Sequence, residues 1–149
     1  MNDFPKSVLF ACNRNTIRSP MAEALMKHLL GHRIYVDSVG VRLAANEVDP
    51  FAIAALAEIG LDISRHRPKS FDDIADQSID LIVTFTPQAQ HRAVELTRTI
   101  ACDIEYWPMA DPTIVEGNRD TRLAAYRDLR EDIFEHIKRR FPLSDAPLD

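Results

Sequence analysis

The sequence predicts an α/β fold: a four-stranded parallel sheet with helices on both faces, a three-layer sandwich. Three observations point there. Short apolar runs alternate with stretches of helical periodicity, the pattern of successive βαβ units. The runs are continuously apolar, as strands buried on both faces are. Two of the helical stretches open on a cap-then-proline pair, Ser19-Pro20 and Asp49-Pro50, which marks a helix start.

Taken in order, Lys6 to Ala11 reads as the first strand and Cys12 to Arg18 as a loop. Ser19 is expected to cap the next helix, with Pro20 at its first position. Met21, Leu25 and Leu29 fall four apart and give that helix an apolar face, and Gly31 is its stop. Arg33 to Val39 reads as the second strand, ending at Gly40. After Asp49-Pro50, the residues Ile53, Leu56 and Ile59 supply a second helical face, closed by Gly60. Leu61 to Lys69 has no period and reads as a loop, followed by a short helical turn over Phe71 to Ala75. Ile79 to Phe85 is a buried strand. Pro87 to Arg98 is a helix with Ala89, Ala93, Val94 and Leu96 available for packing. Asp103 to Trp107 is the fourth strand. Asp120 to Arg139 is the last helix, with the stripe Tyr126, Leu129, Ile133 and Ile137. Residues 141–149, with two prolines and two aspartates, read as a frayed tail.

The 149 residues form one expected domain, 1–149, without repeat or linker. The net charge of −5 gives no global basic footprint, so nucleic acid is not an expected partner. Neither a signal peptide nor an apolar run of about 18 residues is present, so no membrane is expected and the reading is cytoplasmic. Two cysteines, Cys12 and Cys102, are too few for a secreted disulfide framework. The scattered histidines lack metal-ligand spacing, so neither metal nor other cofactor is expected.

The chemistry concentrates in Cys12-Asn13-Arg14-Asn15-Thr16-Ile17-Arg18-Ser19. A strand ends at a thiol, five residues follow, then an arginine, then a helix. Cysteine attacks as thiolate, and a free thiol titrates near about 8.5. A loop of backbone N–H groups running into a helix N-terminus favours negative charge, whether on sulfur or on a bound phosphate. Arg18 can grip two phosphoryl oxygens with its planar fork. Ser19 can donate its hydroxyl to the sulfur. Cys-x5-Arg alone is weak: with two cysteines, chance gives about one match in five such chains. The strand before it and the Ser-Pro and helix after it raise it to a candidate site, against a buried cysteine and a surface arginine. Transfer of phosphoryl to a thiolate also needs an acid for the leaving oxygen. Asp111, before Pro112 and beyond the fourth strand, is the candidate; otherwise Asp-Pro is a turn.

Cys12, Asn15, Arg18, Ser19 and Pro20, with the late Asp111-Pro112, resemble the signature of the low-molecular-weight protein tyrosine phosphatases. That family also includes thioredoxin-coupled arsenate reductases. The resemblance covers about residues 6 to 140 and implies strand order 2-1-3-4. It implies Cys12 as the nucleophile forming a cysteinyl-phosphate, Arg18 as the phosphate ligand and Asp111 as general acid, then base. The phosphate-binding loop would be Asn13, Arg14, Asn15, Thr16, Ile17, Arg18 and Ser19. Asn15 would hold it in a left-handed turn, with Ser19, Ser38 and His66 in support. On the residues alone, Ser38 is a strand-end serine and His66 a loop histidine.

Some positions depart from the family pattern. Ile17 replaces a common second cysteine, and Arg14 replaces a common glycine, adding bulk and charge at the rim. Thr113-Ile114-Val115 stand where the phosphatases carry tyrosines. Tyr106 to Pro112 and Thr84 to Gln88 are worded more like the arsenate reductases, yet Thr86 and Ala93 stand where their relay cysteines fall. Cys102 reads as a small buried residue. The basic run Arg65-His66-Arg67-Pro68-Lys69 either flanks the pocket or is a solvated loop. The expected function is hydrolysis of a phosphomonoester, a phosphorylated protein or small aryl phosphate. The alternatives are arsenate reduction with glutathione or glutaredoxin, and a catalytically weak oxyanion-binding module.

Overall fold

The computed structural model describes residues 4–74 and 78–143. The elements run β1 (Ser7–Cys12), α1 (Arg18–Leu30), β2 (Tyr35–Gly40), α2 (Pro50–Ala57), a 3-10 turn (Phe71–Ile74), β3 (Leu81–Thr84), α3 (Pro87–Leu96), β4 (Asp103–Tyr106), a second 3-10 turn (Pro112–Ile114) and α4 (Arg119–Arg140). The sheet order is β2-β1-β3-β4, and all three pairings are parallel. This is the four-stranded parallel sheet the sequence predicts, in the order 2-1-3-4 that the family resemblance implies. Ala75 of the expected turn and residues 144–149 of the expected tail lie outside the described residues.

The sheet's two faces carry separate cores, which makes the three layers. On one face Val8, Phe10, Leu81 and Val83 pack with Met21, Leu25 and Met26 of α1, Leu56 of α2, and Leu129 and Ile133 of α4. On the other, Leu9, Ala11, Val39 and Ile82 pack with Ala89 and Ala93 of α3 and with Phe71 and Ile74. β1 and β3 are buried along their whole length, hence their uninterrupted apolar runs. Every strand points its C-terminal end the same way. Cys12 therefore ends β1 at the same sheet edge from which Thr84 leads to Thr86 and Tyr106 leads to Asp111.

Several expectations need correction. Ser19 does not cap α1. The helix starts two residues earlier, at Arg18, Ile17 occupies the cap position, and no side chain bonds the first turn. Ser19 is fully buried and its hydroxyl is bound elsewhere. Gly31 ends α1 in right-handed helical geometry, φ −63°, so a left-handed stop is made only at Gly60, φ 82°. α2 ends at Ala57, before Ile59, which is 41% exposed. Val94 is also exposed, because α3 turns only Ala89, Ala93 and part of Leu96 to the sheet. Phe141 is no part of a loose tail. It is 1% exposed and packs edge-on against Phe4 and beside Trp107. Asp49 does cap α2, accepting from the N–H groups of Phe51 and Ala52.

Candidate active site

The loop after β1 is shaped by what its carbonyls do. Cys12 O accepts from Val41 N–H, Asn13 O from Arg42 N–H, Thr16 O from Asp49 N–H and Ile17 O from Met21 N–H. The carbonyls are thus tied outward to neighbouring loops and to α1. No N–H of residues 13–17 donates to a protein carbonyl among the described residues. Backbone donors must find partners, so these N–H groups, in the loop that lines the cavity at the N-terminus of α1, are left for an anion. Asn15 makes the turn possible with φ 58°, a region that asparagine enters more readily than most residues. Gly40 makes room: a Cβ there would lie 2.7 Å from Arg14 C and 2.8 Å from Asn15 N.

A buried polar network locks the loop from below. Asn15 Nδ2 donates to Ser19 Oγ at 2.8 Å and to Ser38 Oγ at 3.0 Å. Asn15 Oδ1 accepts from Lys69 N–H at 2.9 Å and from His66 Nε2 at 2.8 Å. Because that amide oxygen only accepts, His66 carries a proton on Nε2. Burial pushes the imidazole below its ordinary value, and Lys69 and Lys27 add to the push against the pull of Glu23 and Asp37. Ser38 Oγ donates to Glu23 Oε1, and Glu23 is held by Lys27. Ser19 Oγ lies 3.0 Å from Cys12 Sγ and 3.3 Å from Val39 O. A hydroxyl has one proton. Asn15 already donates to Ser19, so that proton is free to go to a sulfur anion, or to Val39 O when the sulfur keeps its own.

Above the loop, Cys12, Asn13, Arg14, Thr16, Ile17, Arg18, Asp111 and Thr113 line one cavity of about 90 Å3. Cys12 is 2% exposed at its floor. Arg18 Nη1 donates to Met109 O at 3.3 Å, joining the loop to the segment that carries Asp111. Burial pushes the Asp111 carboxyl up. The hydroxyl and N–H of Thr113 outweigh it, and with the charges of Arg18 and Arg14 they hold the carboxyl below its usual value. The protein alone therefore keeps Asp111 ionised at neutral pH. A bound phosphate supplies the opposing charge that raises its proton affinity.

All the residues expected in the site are brought together: the loop and Asp111 around the cavity, Ser19, Ser38 and His66 beneath. Sequence reasoning missed four contributors. Glu23 anchors Ser38, and its spacing Ser19–Glu23–Lys27 along one helix face was the available signal. Thr86 caps α3 through Ala89 N–H and donates to Asn13 Oδ1 at 2.6 Å, which pins the loop's second residue. Thr86-Pro87 carried the cap-then-proline signal. Lys69 acts through its N–H and Met109 through its carbonyl, which residue type cannot reveal. Cys102 stands before β4, at the opposite sheet edge from Cys12. Burial and Asp103 push its thiol up. It borders a larger cavity, about 580 Å3, away from the loop, with Phe4, Asp80 and Arg140. Among the described residues no cluster of metal ligands occurs, and no helix is long and apolar enough to cross a membrane.

Proteins of known structure share this frame. An arsenate reductase in its phosphate-binding state superposes with a TM-score of 0.68 at 27% identity, covering 90% of this chain and 95% of its own. A YwlE arginine phosphatase mutant with a phosphorylated active-site serine gives 0.74 at 25%, covering 93% and 96%. In sequence, an arsenate reductase 2 of Staphylococcus haemolyticus is 35% identical over 136 residues, 91% of this chain and 98% of its own. One from Halalkalibacterium halodurans is 33% identical over 135 residues, 89% and 93% of the two chains. Residues 7–139 match the model of the low molecular weight phosphotyrosine protein phosphatases, a span that holds the loop, its supporting network and Asp111. The chain belongs to the low molecular weight phosphotyrosine protein phosphatase family.

Proposed function

We propose that the protein is a phosphomonoesterase acting through a cysteinyl-phosphate on Cys12. The observation that carries this reading is the single cavity lined by the Cys12 thiol, a loop whose N–H groups bond no protein carbonyl among the described residues, Arg18 and Asp111. In the first step Cys12 Sγ attacks phosphorus, the P–S bond forms, the P–O bond breaks, and Asp111 passes a proton to the leaving oxygen. In the second, Asp111 takes a proton from water, water attacks phosphorus, and the P–S bond breaks. Ser19 gives its hydroxyl proton as a hydrogen bond to the departing sulfur. Arg18 and the N–H groups follow the equatorial oxygens through both transition states. Asn15, Ser38, His66 and Glu23 position the loop. The substrate is a phosphorylated protein or an aryl phosphate.

A second reading is arsenate reduction, which the similarity to proteins named arsenate reductases favours. The same loop fits a tetrahedral arsenate. Thr86 and Ala93 cannot relay disulfides, and Cys102 is at the wrong sheet edge, so the electron pair must come from outside thiols, glutathione or glutaredoxin.

The test runs both assays side by side on the unmutated protein, Cys12→Ser and Arg18→Ala. Hydrolysis of phosphotyrosine peptides and aryl phosphates is expected, lost in Cys12→Ser with phosphate binding kept, and lost with binding in Arg18→Ala. Turnover in Cys12→Ser comparable with the unmutated protein refutes the nucleophile. Arsenate reduction with glutathione and glutaredoxin, without hydrolysis, moves the protein to the second reading. Silence in both, with phosphate still bound, leaves an oxyanion-binding module.

A further inference from the structure

We propose that Arg14 and Arg42 make the pocket rim an anion subsite, so that preferred substrates carry a second negative group beside the phosphate. The inference deepens the hydrolase reading and rests on its pocket. Arg14 lines the cavity with Cys12 and Asp111, yet its side chain is exposed and makes no hydrogen bond or ion pair among the described residues. Arg42 is also exposed and likewise unpaired, and its N–H bonds Asn13 O at 2.9 Å, next to Arg14 in the chain. The charge of Arg14 bears on Asp111 without forming an ion pair with it, so two guanidinium groups with no bound partner stand on adjoining segments in a chain of net charge −5. By contrast, Arg92, Arg127, Arg130 and Arg140 each hold a carboxylate.

Arg18 is committed to the phosphate that reacts and to Met109 O. The planar fork of Arg14 is left to take a further carboxylate or phosphate, the anions whose paired oxygens it matches best. Among the described residues, none that lines the cavity carries an aromatic ring to stack on a substrate. A second anion also favours the protonated form of Asp111, which the acid step needs. The same chemistry comes from two sources, an acidic side chain beside a phosphorylated residue or a carboxylate on a small aryl phosphate.

The test compares phosphotyrosine peptides that differ only in Glu, Gln or Lys beside the phosphotyrosine, and carboxyphenyl phosphate with phenyl phosphate. The readout is the ratio of kcat/KM within each set, together with dissociation constants measured on Cys12→Ser. The acidic member is expected to be preferred by about three- to tenfold, and less so at high salt. Arg14→Lys, which keeps the charge and loses the fork, should retain only part of the preference, Arg42→Ala should reduce it, and Arg14→Glu should turn it toward the Lys peptide. A ratio near one for both sources, or a ratio that Arg14→Glu leaves unmoved, overturns the subsite. Response in the peptide set or in the small-molecule set alone tells which source the rim reads. Binding to Cys12→Ser reports on the rim even without hydrolysis, so failure of the subsite and failure of the hydrolase reading are separate results.

Discussion

At the scale of single residues, the proton decides the chemistry. Asp111 is held ionised by Thr113, Arg18 and Arg14 despite its partial burial. In the proposed mechanism, with Cys12 attacking as thiolate and Asp111 ionised, the missing proton must arrive with the substrate. The reactive complex therefore has the composition of a phosphate monoanion with ionised Asp111. A phosphomonoester loses its second proton near about pH 6, so kcat/KM should fall as pH rises through that value. The alkaline limb should move with the substrate's own second pKa across a series of aryl phosphates, read from kcat/KM profiles. A limb fixed at one pH whatever the ester would exclude proton delivery by the substrate. Asp111→Asn should slow poor leaving groups by about 100-fold or more and activated esters much less. Equal loss across leaving groups would count against the acid role. Asp111 itself was legible from its Asp-Pro context. Its protonation state was not, because Thr113 and the two arginines act on it only in the folded geometry.

At the scale of elements, the site is a turn wedged between two strand ends. β1 and β2 pair to their last residues, Cys12 opposite Gly40, and the loop folds back over Gly40 with no room for a side chain. Gly40→Ala should displace the Arg14-Asn15 peptide at a cost of about 1–3 kcal/mol. Phosphate affinity should weaken by about tenfold, measured as product inhibition, while far-UV dichroism stays that of the unmutated protein. Unchanged phosphate affinity would mean the loop tolerates the methyl and that Gly40 is only a strand terminus. The sequence marked Gly40 as the end of a strand, since a glycine after an apolar run says no more than that. The close approach belongs to the pairing of Cys12 with Gly40, 28 residues apart. The same holds for Ser19: position predicted a helix cap, but Asn15 and Cys12 offered its hydroxyl buried partners.

At the scale of the whole molecule, α4 and its end close the larger core. Phe141, the residue after α4, seals the cluster of Phe4, Phe10, Phe85 and Trp107. Phe141→Ala should lower stability by about 3–5 kcal/mol, seen as an earlier urea midpoint. Trp107, the only tryptophan and 8% exposed, reports the transition by its fluorescence. A loss below about 1 kcal/mol would mean that the neighbouring rings collapse into the space. The sequence placed this phenylalanine in a tail because the prolines and aspartates beyond it dominate the local composition. Its partners at residues 4 and 107 leave no local trace.

The sequence by itself determined the architecture and the position of the proposed chemical centre. Continuous apolar runs, helical spacing and the Cys12–Arg18–Ser19–Pro20 order are local signals, and local signals dictate element type, sheet class and the position of a strand–loop–helix anion site. Only the tertiary structure decided what each group does there. The tying of the loop carbonyls to Val41, Arg42 and Asp49, the Glu23–Ser38–Asn15–Ser19 network, the pinning of Asn13 by Thr86 and the distance between Cys12 and Cys102 all depend on residues remote in the chain. A hydrogen bond or a clash is fixed by where the chain brings its atoms, and that placement is set by the packing of the sheet and its two layers of helices.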